Sequence, residues 1–517
     1  MKTLSLLPMA CSWLFALPTA AQSEPSIAQL QHGFASGAAS VAVIESHYEA
    51  RIRALDWSGP ALRSVLELNP DAPLIARKLG ESGAAQRLLY GVPVLLKDNI
   101  DTADRMHTTA GSLALMGSKP ARDAFIVQRL RAAGAVILGK TNLSEWANFR
   151  SRHSSSGWSG RGGQTHNPYV LDRNPCGSSS GSAVAVAADL TAVAVATETD
   201  GSIVCPASIN GIVGIKPTVG LVSRSGIIPI SASQDTAGPV ARTVTDAAIL
   251  LTVLAGYDPD DLATLPLKDR PPPDYRSALR TDGLQGVRVG VLREYAGFND
   301  EVDTRFNQAL ETLRSLGAII VDPVTIATKG KFDDDELSVL QHEFKDGINR
   351  YLGTRRGAGP RNLSELIAFN STHQPQEMVW FGQDQFLDSQ RAGPLTDAAY
   401  LDAHERARRL AGAEGIDASL AKDRLDVLVA PTLGPAWLTD WVNGDHVVGG
   451  DISSPPAVAG YPHITVPMPL VHGLPVGLSF VGPAWSEAAL IGYAYAFEQA
   501  THYRVPPRFV SSSRALR

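Results

Sequence analysis

Three short segments concentrate the residues able to do chemistry: KDN at 97–99, CGSSSGS at 176–182 and TETDGSIVCPA at 197–207. GSSSGS offers several hydroxyls and loosely constrained backbone where a helix is expected to start. Such a place can bind an anion through its free N–H groups or hold a catalytic serine. In the third segment Ser202 follows the flexible Gly201, and neighbouring backbone N–H groups there can face an oxyanion. A serine nucleophile needs a proton acceptor, most often histidine, yet neither serine-bearing segment contains one. Lys97 is the other acceptor on offer. A lysine acts as a base only when neutral, which requires burial or cationic neighbours to lower its pKa. Local chemistry leaves the choice between a distant histidine and Lys97 open.

The elements that must position these groups follow from hydrophobic spacing. Val92 to Leu96 reads as a short strand that delivers Lys97 and Asp98 at its end. Residues 125–133 predict a helix that stops at Gly134, and AVIL follows as a strand, a helix-to-strand unit of an α/β sheet. Residues 182–190 predict an Ala-rich helix, and Val193 to Ala196 a strand leading into TETDGS. Residues 26–56 read as helix, with Val43, Ile44, Tyr48, Ile52 and Leu55 at helical spacing. The stretch 151–181, rich in Ser, Gly, Asn and Pro, predicts a long loop, which points to a functional surface. VRVGVL at 287–292, a helix over 301–316, AIIV at 318–321 and LDVLVAPT at 425–432 continue the α/β rhythm. Charged, mostly helical sequence between them marks a peripheral helical excursion around 330–410.

Two suggestive matches fail on physical grounds. GAVILGKT at 134–141 fits a phosphate-loop spacing, but its intervening residues are a strand core, not a loop with exposed N–H groups. GSSSG at 177–181 fits a nucleophile elbow, but the turn sequence DRNPC precedes it where a strand is required. His107, His153 and His166 lack metal-ligand spacing, so no metal is expected.

The 517 residues are 44% apolar and 19% charged, with a net charge of -6. No long basic tract recommends a nucleic-acid partner. Lys2 followed by LSLLPMACSWLFALPTAA reads as an export signal over 1–21, cleaved after Ala21. Beyond it no segment is long and apolar enough for stable membrane insertion. The mature chain would then be periplasmic or extracellular. Of the cysteines, only Cys176 and Cys205 remain after cleavage. The simplest expectation is two buried small residues; in an exported protein they could also pair.

Taken in order, the segments resemble those of the amidase signature family. YGVPVLLKDNI, GAVILGKTNLSEW, NPCGSSSGSAVAVAA and GSIVCPASINGIVGIKPTVGLVSRSGIIPISASQDTAGPVAR carry the likeness over about residues 40–250. LVAPT and AGYPHITVPMPLVHGLPVGLSFVGPAWSE carry it further. The resemblance implies the α/β amidase signature fold, a large mixed twisted β-sheet covered by helices on both faces, as a single domain over 22–517. It implies Ser202 as nucleophile, Ser178 as bridging proton relay behind a cis peptide bond, and Lys97 as base. Ser179 becomes a supporting hydroxyl, and the N–H groups of Thr199, Asp200, Gly201 and Ser202 an oxyanion hole. No cofactor is implied.

This chain departs from many family members in having Asp200 for Gly and Val204 for Arg, and it has Glu198 where Asp is frequent. NFR, SGWSGRGGQTHNPY and TETDGSIVCPA resemble the branch that removes the terminal amide from peptides. The implied substrate is therefore a peptide C-terminal carboxamide, cleaved through an acyl-enzyme with release of ammonia. Phe149, Trp158 and Tyr169 are candidates to line its cleft, or else pack within the loop. Two alternatives stand beside this reading: a broader acylamide or aryl amidase, and a catalytically inactive amidase-like binding protein. A monomer is expected.

Overall fold

The computed structural model describes residues 24–82 and 87–516; the expected export signal at 1–21 lies outside the described residues. Among them, eleven strands form one mixed sheet. In chain order these are β1 (Val65–Leu68), β2 (Pro93–Lys97), β3 (Val136–Thr141), β4 (Val193–Glu198), β5 (Val213–Lys216) and β6 (Thr236–Ala241). They continue as β7 (Arg288–Leu292), β8 (Ile319–Val324), β9 (Val427–Pro431), β10 (His463–Pro467) and β11 (Gly477–Val481). Across the sheet the order is β1-β3-β2-β4-β6-β5-β10-β11-β9-β7-β8. Strand β2 runs parallel to β3 and β4, and β7 runs parallel to β8 and β9. The strands between these groups pair antiparallel.

The parallel strands are apolar on successive residues because both of their faces are covered. Val94, Leu96, Ile137, Val193 and Val195 enter one core. Their neighbours Leu95, Val136, Leu138, Ala194 and Ala196 enter another. Helices Phe125–Ala132, Val244–Leu254, Asp300–Ser315 and Glu487–Thr501 cover the first face, contributing Ile126, Leu250, Phe306 and Leu490. Helices Val41–Arg51 and Ser180–Ala187 cover the second, through Tyr48 and Val184. This is the expected α/β architecture, a mixed sheet with helices on both faces.

Several local expectations change. The helix read over 26–56 is interrupted: Ile27–Ser36 ends at Gly37, whose φ of 72° a side chain would resist, and Val41–Arg51 restarts after the Ser40 cap. The strand expected after Gly134 forms as Val136–Thr141, and its Lys140 is buried with Nζ donating to Ile100 O and Thr108 Oγ1. The long loop at 151–181 contains a two-residue ribbon, Trp158–Ser159 against Gly163–Gln164. Strand β8 includes Pro323, tolerated because β8 is an edge of the sheet.

The helical stretch in 330–410 comprises Asp333–Thr354, Leu363–Thr372, Gln374–Glu377, Asp384–Arg391 and the start of Ala398–Ala411. Phe344, Ile348 and Leu352 of its first helix share a core with Trp146, Phe149, Ile228 and Ile230. This excursion therefore buttresses segments that border the site described next.

Candidate active site

Strands β2 and β4 are parallel, with Val94 opposite Val193 and Leu96 opposite Val195. Parallel pairing sends both C-terminal ends to the same edge of the sheet, and this brings Lys97 beside Thr197. The CGSSSGS segment arrives at that edge because helix Ser180–Ala187 packs against β4 through apolar residues. Gly177–Ser178 is cis, as the resemblance implied.

Lys97 is completely buried. Its Nζ lies 2.8 Å from Ser178 Oγ, 2.8 Å from Thr197 Oγ1 and 3.1 Å from Thr197 O. Asn99 Nδ2 donates to the same Thr197 Oγ1 at 2.9 Å. A neutral amine has two hydrogens and one lone pair. With both hydrogens directed at the two oxygens of Thr197, the lone pair faces Ser178. Burial lowers the Lys97 pKa to about 7, against the opposing pull of Asp235 and Glu198. A lysine so placed is available as a base near neutral pH.

Ser179 secures this arrangement, donating through Oγ to Thr197 O at 2.9 Å and accepting from Thr197 N at 3.3 Å. Its own N–H donates to Ser202 O at 3.3 Å. Cys176 and Cys205 form a disulfide, which corrects the expectation of two separate buried residues. The bond joins the chain two residues before Ser178 to the chain three residues after Ser202.

Ser202 lies on the turn between β4 and helix Val204–Ile209, where Gly201 has φ 72°. Glu198 closes this turn. Its Oε2 accepts from Ile203 N at 2.7 Å and from Val204 N at 3.1 Å, and Gly201 N–H also faces its carboxylate. The N–H groups of Asp200 and Ser202 find no protein acceptor among the described residues, so they remain available to an oxyanion. Burial raises the Glu198 pKa, opposed by Lys216 and these backbone donors.

The Asp200 carboxylate is held by the hydroxyls of Ser453 and Ser454. Burial and the neighbouring Asp451 raise its pKa to about 7, which lessens negative charge beside the turn. Thr199 Oγ1 donates to Asp235 at 2.6 Å, and Asp235 also accepts from the N–H groups of Ile230 and Ser231. Val204 is buried in its helix.

The three aromatic candidates occupy separate packing sites. Phe149 contacts Phe344 at 5.0 Å between ring centres, Trp158 contacts Phe381 at 5.2 Å, and the Tyr169 hydroxyl donates to Val505 O. All three are buried, and none lines the cavity beside Ser178.

Asn99 and Thr197 lie in the first and third of the three motif segments, but no spacing rule marks them as partners of Lys97. Ser453 and Ser454 carried no signal, being remote in sequence from Asp200.

Comparison with known proteins adds to this geometry. The family model described as Amidase matches residues 48–491. The solved structure of native peptide amidase from Stenotrophomonas maltophilia superposes with a TM-score of 0.89 at 52% identity, covering 94% of this chain and 99% of that one. A peptide amidase in complex with the competitive inhibitor chymostatin gives a TM-score of 0.90 at 52% identity, with 94% and 99% covered. An Arabidopsis thaliana protein named "Probable amidase" is 43% identical, over 90% of this chain and 88% of its own length.

Proposed function

The chain belongs to the amidase family and is an amidase, and from that premise we propose that it hydrolyses the C-terminal carboxamide of peptides to the free acid and ammonia. The buried contact of 2.8 Å between Lys97 Nζ and Ser178 Oγ carries the mechanism; the likeness to peptide amidases carries the substrate.

Neutral Lys97 draws a proton from Ser178 as Ser178 takes one from Ser202. Ser202 Oγ attacks the amide carbon, and N–H groups of the 199–202 turn stabilise the oxyanion. The relay then runs backward: Ser178 gives a proton to the leaving nitrogen and ammonia departs. Water attacks the acyl-enzyme by the same route, releasing the acid.

Export is part of the proposal. It is supported by the apolar leader and by the Cys176–Cys205 disulfide, since such bonds persist in oxidising compartments. Among the described residues no helix is long and apolar enough to cross a membrane. One chain supplies every group in the relay, in keeping with a monomer.

Single-turnover kinetics on a peptide amide test the assignment. The wild type should accumulate an acyl-enzyme and release ammonia, and S202A should do neither. Acyl-enzyme in S202A would overturn the nucleophile. Equal or faster turnover of a simple aliphatic amide would replace the peptide substrate with a broader acylamide class.

A further inference from the structure

Away from the active site, a cavity of about 580 Å³ opens beside the start of helix Glu487–Thr501. No residue of the relay or of the 199–202 turn lines it. Its volume falls in the range of small-molecule sites, about 300–1,000 Å³. Leu221, Leu267 and the prolines Pro271 to Pro273 give it apolar surface, and Trp485 and Tyr275 give it two aromatic rings.

Two oxygens in this lining lack partners. Glu487 is only 2% exposed, and its Oε1 accepts from Thr218 N at 2.7 Å. Its Oε2 has no hydrogen-bond or ion-pair partner among the described residues, and neither has the hydroxyl of the buried Tyr275. Neither oxygen is sealed from solvent, so each can meet a donor that enters the cavity. Taking a carboxylate out of water is costly unless it is paired. The buried ammonium that Glu487 favours, Lys216, donates instead to Pro217 O at 3.2 Å and Tyr461 O at 2.6 Å and makes no ion pair with it.

The lining is already in position. Thr218 Oγ1 accepts from Trp485 N at 2.9 Å while Thr218 N reaches Glu487, so one residue ties the aromatic and the acidic side of the cavity together. Tyr275 N donates to Thr252 Oγ1 at 3.0 Å, and the prolines just before it stiffen their segment by fixing φ. A site formed in advance loses little entropy on binding.

Charge decides the occupant. An anion would face Glu487, and an uncharged apolar molecule would leave that carboxylate unpaired. No group of three or more His, Cys, Asp or Glu side chains able to hold a metal ion occurs among the described residues. An organic cation supplies N–H donors for both free oxygens, and its charge is attracted to the face of an aromatic ring. Asp269 and Arg270, the exposed charged residues of the lining, are opposite in sign and leave the selection to Glu487.

We propose that this cavity is a second binding site, for a small organic ammonium ion with an aromatic or alkyl body. The ammonium donates to Glu487 Oε2 and to the Tyr275 hydroxyl, and the body lies against Trp485 and the prolines.

Isothermal titration calorimetry of the full chain with phenethylammonium chloride at pH 7 tests the site. Saturable binding with a Kd of ~1 mM or tighter is expected, within reach of a ligand of about nine non-hydrogen atoms. E487Q keeps an acceptor for Thr218 N but loses the charge, and should bind at least ~10-fold more weakly, as for a lost charge-assisted hydrogen bond. W485A alters only an exposed ring and should weaken binding ~3-fold or more. Thermal melts confirm that each variant folds, and W485A decides the matter if E487Q does not. The neutral counterpart 2-phenylethanol should not distinguish E487Q from wild type. No saturation in the wild type, or an affinity unchanged in either folded variant, would overturn the site. Tighter binding of phenylacetate than of phenethylammonium would overturn its preference for a cation.

Discussion

Lys97 Nζ stands 2.8 Å from Ser178 Oγ at a position with no solvent exposure. The lysine is thus held in the form a base requires by the burial that also makes its charged form unfavourable.

The pH dependence follows from that burial. With a folded pKa of about 7, Lys97 is protonated and inactive below this value, so kcat/KM should rise through pH 7 and level off above it. K97A should lose about 10²–10⁴-fold in rate together with this limb. A profile with the limb retained in K97A would assign the titration to another group.

Stability should also rise with pH, but over a higher window. The unfolded lysine titrates near 10.4, so between about pH 7 and 10.4 the unfolded state binds more protons and stability rises with pH. Below pH 7 the full cost of the buried charge is present. K97M removes it, and should raise Tm at pH 6 by more than at pH 10 while abolishing turnover. Thermal melts at the two pH values check this.

Glu198 organises the turn that carries Ser202. E198A leaves the N–H groups of Ile203 and Val204 without their acceptor and loosens the nucleophile turn. A fall in kcat of at least ~10-fold is expected, with KM changed by less than about threefold, the pattern of an interaction made in the transition state. E198Q keeps the shape of the side chain and should fall between the two. Steady-state kinetics on a peptide amide separate these outcomes.

The Cys176–Cys205 bond closes a loop with a sequence separation of 29, for which chain entropy predicts about 2–4 kcal/mol of stabilisation. The variant C176A/C205A should show a urea midpoint lowered accordingly. Because the bond joins the Ser178 segment to the Ser202 helix, activity should fall even under conditions where the variant remains folded. Dithiothreitol should reproduce both effects in the wild type.

Asp200 has a folded pKa of about 7, raised by burial and Asp451, against about 3.9 unfolded. The folded state therefore binds more protons between those values, and stability is lost as pH rises through that window. D200N should raise Tm at pH 8 and change it little at pH 4. A larger gain at pH 4 would reverse the assignment.

The sequence by itself determined the α/β rhythm and the three reactive segments. Apolar runs such as PVLL at 93–96 and VAVA at 193–196 read as strands covered on both faces, with the polar residues that follow them at strand ends, although the same VAVA at 184–187 lies in a helix. It also carried the resemblance that singled out Ser202, Ser178 and Lys97. What it left open was the set of partners. Helical and strand periodicity report which face of an element is buried, but not which distant residue meets it. Thr197 became a partner of Lys97 through parallel strand pairing, Ser453 and Ser454 met Asp200 through the packing of the start of a remote helix, Ser454–Ala459, and Cys176 reached Cys205 only once two segments shared an edge of the sheet. The shift of Lys97 to a pKa of about 7 is likewise tertiary, because desolvation depends on everything that surrounds the amine.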